Sequence, residues 1–122
     1  MEDKVYSPTE ANALLPYLAP TLVELREKFE EAAQVREAVT HAALGNGWSE
    51  KRETWSRTLA RVQELIERLQ DWNITLRDIE TGLIDFPAVI EGQEAFLCWR
   101  LGEPEVAYWH TAEEGFPGRR PL

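Results

Sequence analysis

Cysteine is all but missing from this chain, with Cys98 standing alone among 122 residues. An internal disulfide is thereby excluded, as is a thiolate cluster built within one chain, and Cys98 reads as a small core residue. Long apolar runs are missing too. Nothing approaches the roughly 20 apolar residues of a membrane span, and the start, Met1-Glu-Asp-Lys-Val-Tyr6, has no apolar core of signal-peptide length. A soluble, cytoplasmic protein with no membrane partner is expected. Basic residues are scarce: 13 face 22 acidic ones, for a net charge of -9. They are spread beside carboxylates, so a phosphate backbone is repelled and nucleic acid is not an expected partner. No Ser/His/Asp order, phosphate-binding glycine loop or pair of metal-binding histidines occurs, so no cofactor is implied and no motif supports an enzyme.

What is present is, first, helix. Ser7 can cap a helix, Pro8 suits its first position, and Glu10 completes a capping box. Pro16 and Pro20 each lack an amide donor, so a kink or break is expected between Leu15 and Pro20. Beyond them Leu22, Leu25, Phe29, Ala32 or Ala33, Val35 and Val39 recur at helical steps, with charges on the other faces. Gly45-Asn46-Gly47 ends that helix and Ser49 can cap the next. In the second helix Trp55, Leu59, Val62, Ile66 and Leu69 step by four and three, the seam of a left-handed coiled coil. The short connection implies an antiparallel hairpin over about 7–72, an arm of roughly 35 Å. His41, near the loop, reads as solvated or capping.

The last third changes character. Ile74, Leu76 and Ile79 follow no clean period and read as a crossover ending at Gly82. Gly92-Gln93 is then a two-residue turn with glycine first, and Gly102-Glu103 before Pro104 is a second. Three antiparallel strands follow, Leu83 to Ile90, Glu94 to Leu101 and Glu105 to Thr111, in a β-meander and tail covering about 82–122. The fold class is α+β: a long antiparallel helical hairpin followed by a C-terminal three-stranded antiparallel meander, in one domain spanning 1–122.

Those turns fix a register. Asp85 should lie opposite Arg100, Phe86 opposite Trp99, Ala88 opposite Leu97 and Val89 opposite Phe96. Across the second turn, Arg100 should meet Glu105, Trp99 meet Val106, Leu97 meet Tyr108 and Phe96 meet Trp109. One face then carries Phe86, Ala88, Ile90, Ala95, Leu97, Trp99, Val106, Tyr108 and, at its border, His110, to be buried on the helices. The other carries Asp85, Arg100 and Glu105 beside Cys98, with an apolar row of Val89, Phe96 and Trp109. A slip of one residue would exchange the faces.

The second face holds the candidate site. Arg100 between two carboxylates is either a cross-strand ion network or a fork presented to a small anionic ligand, with Trp109 or Phe96 as an apolar wall. The apolar row reads as a homodimer interface. His110, followed by Glu113 and Glu114, is either a half-buried histidine bonded to a carbonyl or part of a metal site. Arg119 and Arg120, between prolines and glycine, either fold back to Asp85, Glu103 or Glu105, or fray.

Taken together, Thr9-Glu-Ala-Asn-Ala-Leu-Leu-Pro16, Gly82-Leu-Ile-Asp-Phe-Pro-Ala88, Leu97-Cys-Trp99, Gly102-Glu103, Tyr108-Trp-His110 and Gly115-Phe-Pro-Gly-Arg-Arg-Pro121 resemble the bacterial family called domain of unknown function 2203 over nearly the whole chain. The resemblance implies a small prokaryotic cytoplasmic protein and supplies no reaction. It implies that Glu10, Asp85, Glu103, Trp109, His110, Arg119 and Arg120 belong to the family pattern, while Pro117 stands where that pattern often has alanine. Two functions are consistent with these residues. One is a non-enzymatic protein-interaction or small-ligand-binding module, acting as a homodimer, with ligand candidates Asp85, Arg100, Glu103, Trp109, His110, Arg119 and Arg120. The other is a small metal-dependent or acid-base enzyme built on the sheet and tail.

Overall fold

The computed structural model describes residues 4–41 and 48–122, and the side chains of all of these except 38–41, 48 and 49. The Gly45-Asn46-Gly47 loop, the Ser49 cap and the His41 and Val39 side chains therefore lie outside the described residues. Two helices, α1 (Pro8–His41) and α2 (Trp48–Asp71), precede five strands: β1 (Thr75–Asp78), β2 (Leu83–Ile90), β3 (Gln93–Arg100), β4 (Tyr108–His110) and β5 (Arg120–Pro121). Each strand pairs antiparallel with the next, in the spatial order β1-β2-β3-β4-β5. The fold is α+β, as expected, but the sheet has two strands more than the expected meander. Among the described residues no helix is long and apolar enough to cross a membrane.

Helix α1 begins at the expected box. Ser7 Oγ accepts from the Glu10 amide at 3.1 Å, and Glu10 Oε1 accepts from the Ser7 amide at 3.0 Å. No break follows at Pro16 or Pro20; α1 runs through both. The two prolines sit on the exposed face, where water can take the carbonyls they leave unbonded, while Ala11, Leu18, Leu22 and Leu25 on the other side are fully buried in one core. In α2 the buried stripe is Thr58, Val62, Leu65 and Leu69 rather than the expected seam, and Leu59 stays 40% exposed. Four-three stepping holds, but its phase is set by the sheet below as well as by α1. Arg61 joins the helices, reaching Glu24 through Nε at 2.6 Å and Nη2 at 2.9 Å.

The first strand turn falls at Glu91-Gly92, one residue earlier than expected. Both have positive φ, 53° and 78°, as a type I′ turn demands. Moving a turn by one residue moves the pairing by two. Asp85 lies opposite Cys98, Phe86 opposite Leu97, Ala88 opposite Ala95 and Val89 opposite Glu94, instead of Arg100, Trp99, Leu97 and Phe96. A shift of two preserves the faces, so Phe86, Ala88, Leu97 and Trp99 share one core with the helices as expected, and Ala95 is buried too.

The second turn alters the faces. Trp99 Nε1 donates to Glu103 O at 3.0 Å, the Glu103 amide to Arg100 O at 3.0 Å, and the Arg100 amide to Glu103 Oε1 at 2.7 Å. The Val106 amide donates to Asn12 Oδ1 on α1 at 2.7 Å, so Val106 never pairs with β3. Pairing resumes only at Tyr108, displaced by one: Cys98 opposite Tyr108, Leu97 opposite Trp109, Phe96 opposite His110. Tyr108 and His110 are thereby turned to the outer face, and Trp109 packs inward on the core. The expected row of Val89, Phe96 and Trp109 is dispersed.

Strand β1 was expected to be a crossover. Thr75 pairs with Asp85 and Leu76 with Ile84, after which the register shifts and Asp78 meets Leu83, leaving Arg77 unpaired. Such an irregularity re-aims a side chain, and Arg77 is directed to Asp85.

Candidate functional site

The outer face of the sheet carries a buried polar cluster supplied one residue per strand. Asp85 on β2, Cys98 on β3 and His110 on β4 are 1%, 1% and 2% exposed. His110 Nε2 lies 3.0 Å from Asp85 Oδ1, and Asp85 Oδ2 accepts from Arg77 Nε at 2.7 Å. His110 Nδ1 lies 2.7 Å from Thr111 O. A carbonyl only accepts, so Nδ1 carries its proton, and a single proton is left between Nε2 and the Asp85 carboxylate. Neither ring nitrogen is free to take a proton from Cys98, which removes a cysteine–histidine nucleophile from consideration in this arrangement.

Beside the pair opens a cavity of about 190 Å³ lined by Arg77, Asp85, His110, Glu113, Gly115 and Phe116, among others. Arg77 is tied to Asp85 by Nε alone, and its two Nη nitrogens make no hydrogen bond among the described residues. Its guanidinium also lies 5.5 Å from the Phe96 ring centroid, which keeps the fork over the face.

The C-terminal tail closes the other flank. Phe116–Gly118 forms a short 3-10 turn, after which β5 adds to β4 with Arg120 opposite Trp109. Arg119 stacks between two rings, 3.9 Å from the Tyr108 centroid and 4.7 Å from that of Phe116. Its fork is bidentate to Glu103, Nη2 to Oε2 at 2.5 Å and Nη1 to Oε1 at 3.2 Å, and Nη1 also lies 3.7 Å from Cys98 Sγ. Burial pushes the Glu103 carboxyl up, but the Arg119 hydrogen bonds, the Arg100 amide and both positive charges together hold it below the usual carboxylate range. Burial pushes the Cys98 thiol up, against a smaller opposing pull from Arg119.

Of the seven expected site residues, the structure brings Asp85 and His110 into contact and puts Arg119 on Glu103 a few ångströms from Cys98. Arg100 is not the arginine held by Asp85; it pairs opposite Leu83 and lies 5.8 Å from the Phe116 centroid. Trp109 lies on the opposite, helix-facing side and cannot wall the cavity, while Arg120 covers its ring at 5.1 Å and bonds Glu114 at 2.7 Å. Arg77 and Phe116 were missed. Arg77 had a legible signal, since Ile74-Thr75-Leu76-Arg77 alternates apolar and polar as a strand does.

These features define a small α+β protein whose antiparallel sheet packs one face on two helices and carries a buried acid–histidine pair on the other. The chain belongs to the family described as Uncharacterized conserved protein (DUF2203), whose family model matches residues 4–122. No curated protein and no solved structure matches the chain.

Proposed function

We propose that this chain is a non-enzymatic, single-domain binding module that takes a small anionic ligand, such as a carboxylate or an inorganic oxyanion, in the cavity over the Asp85–His110 pair. The observation that carries this reading is Arg77, fixed at Nε by a buried carboxylate with both Nη nitrogens making no hydrogen bond among the described residues. An arginine held in this way loses little freedom when its fork engages an anion, so the site is pre-organised. The mouth is apolar on one side, through Leu83 and Phe116, as small-molecule sites commonly are.

The remainder of the module supports self-association. Glu24, Lys28 and Glu31 on α1 line one groove with Arg61, Arg57 and Thr54 on α2, an order that fits an antiparallel hairpin. Elsewhere on the helices Phe29 of α1 and Leu59 of α2 are left 42% and 40% exposed, apolar surface that a second copy would cover in a homodimer.

The test is thermal unfolding of chelator-treated protein in phosphate, sulfate, acetate and malonate at constant ionic strength. At least one anion raises the melting temperature of the wild type, Arg77→Lys keeps part of the rise and Arg77→Gln loses it. A wild type indifferent to all four, or an equal response in Arg77→Gln, overturns the reading.

A further inference from the structure

Three donor atoms of three kinds meet at the floor of this face: a carboxylate oxygen of Asp85, the thiol sulfur of Cys98 and a ring nitrogen of His110 all lie within 4.8 Å of one another. We infer that Asp85, Cys98 and His110 form a binding site for one divalent transition metal of borderline softness, zinc or cobalt in type, with a coordination position left open toward the cavity. The inference goes beyond the anion reading and stands without it.

Placement is the first support. Cys98 sits between Asp85 and Tyr108 in the register, and His110 is two residues along β4 from Tyr108 on the same face. Each ligand thus comes from a different, directly hydrogen-bonded strand, a scaffold that holds donors more rigidly than loops do. All three side chains are essentially buried, so a cation there would exchange water for protein donors and little else.

Fit is the second. Bonds of about 2.0–2.3 Å to nitrogen, oxygen and sulfur put tetrahedral ligands about 3.3–3.7 Å apart. The 3.0 Å between His110 Nε2 and Asp85 Oδ1 needs to open by only a few tenths of an ångström, and no separation needs to close by more than about 1.5 Å. Thiolate with imidazole selects against magnesium and calcium, which prefer oxygen.

The supporting contacts are the third. His110 turns its other nitrogen to Thr111 O, and Asp85 its other oxygen to Arg77 Nε. These are the outer contacts that orient metal ligands and fix their donor atoms. On binding, the proton shared by His110 and Asp85 and the thiol proton of Cys98 leave for solvent. Carboxylate and thiolate then offset the two metal charges, and Arg77 adds one positive charge at the rim. The open position therefore suits an anionic fourth ligand, for which Glu113 already lines the cavity.

Cobalt(II) is the probe, added to the chelator-treated full chain both in the folded state and during refolding from urea. One equivalent binds and produces a near-ultraviolet sulfur-to-cobalt charge-transfer band, which one equivalent of zinc abolishes. Because Cys98 is the only cysteine in the chain, Cys98→Ser, which changes one atom and whose fold is checked by circular dichroism, loses the band. Asp85→Asn and His110→Gln weaken cobalt binding about tenfold or more. Cobalt bound without the charge-transfer band, no binding under either protocol, or unchanged affinity in both Asp85→Asn and His110→Gln overturns the inference. The anion test runs on metal-free protein, so either proposal can fail while the other survives.

Discussion

Asp85 is the buried acid that two partners on the outer face share. It satisfies His110 through one oxygen and Arg77 through the other, at 1% exposure. Removing the acid strands a buried imidazole, whereas removing Arg77, half-exposed, leaves His110 still paired. Asp85→Ala is therefore expected to destabilise by about 3–5 kcal/mol, and Arg77→Ala by clearly less; urea unfolding of the two variants ranks them, and an Arg77→Ala loss equal to that of Asp85→Ala would sink the assignment. Glu10 is the contrasting case, an exposed carboxylate. The Lys4 hydrogen bond first, and those of the Ser7 amide and hydroxyl, lower its pKa from 4.5 to about 2. A folded-state pKa depressed in this way contributes stability that is complete above about 4.5 and lost as the pH falls through about 2. The melting temperatures of wild type and Glu10→Gln should therefore converge between those pH values, and a gap of constant size would show that the carboxylate does not titrate as the cap requires. Loss of the partner hydroxyl in Ser7→Ala should cost about 1 kcal/mol at neutral pH.

At the scale of elements, the two turns decide what the sheet presents. Glu91 adopts φ 53° in the β2–β3 turn, a conformation that asparagine and glycine accept and glutamate resists. Glu91→Asn should raise stability by about 0.5–1 kcal/mol, read from chemical denaturation; a loss would mean that the turn is not of this type. Gly82 behaves oppositely. Its φ is +67° and an added Cβ would come 2.7 Å from Leu101 Cβ, so Gly82→Ala must displace the β2 start. The turn chemistry also separates what could be read from the chain from what could not. The capping box, the presence of two amphipathic helices and the β2 and β3 inward rows follow from periods and local hydrogen-bonding types, and these were legible; the phase of the α2 stripe was not, because Leu65 and Thr58 are buried where Ile66 and Leu59 were expected. Glycine marks a turn without fixing which two residues form its tip, so the first register missed by one turn position yet kept its faces. The second depended on Asn12, 94 residues away from Val106, taking an amide from the segment that leads into β4. No local pattern encodes that contact, and it is what placed His110 beside Asp85 and Trp109 against the core. Strand β5 is two residues held by Arg119 and Arg120 pairs, too short for any period to show.

On the scale of the whole molecule, helices and sheet are stitched together at points far apart in the chain. The Tyr6 amide donates to Pro87 O at 2.7 Å and its hydroxyl to Trp72 O at 2.5 Å, binding the N-terminal segment to β2 and to the end of α2. Asn12 then ties α1 to the segment leading into β4, where Val106 is 3% exposed. Leu18, Leu22, Leu65 and Leu69 share one core with Ile84, Phe86 and Leu97, so neither layer buries its apolar face without the other. Helical circular dichroism and tryptophan fluorescence should therefore report one coincident unfolding transition. Asn12→Ala sharpens the point. It leaves the buried Val106 amide without its acceptor, at a cost of about 1–3 kcal/mol, and should lower both transitions together even though the substitution lies on a helix and the orphaned group in the segment that leads into β4. If the helical signal kept its wild-type midpoint while the fluorescence midpoint fell, the layers would be folding independently, and the displaced register of β4 would need a cause other than the grip of α1 on Val106.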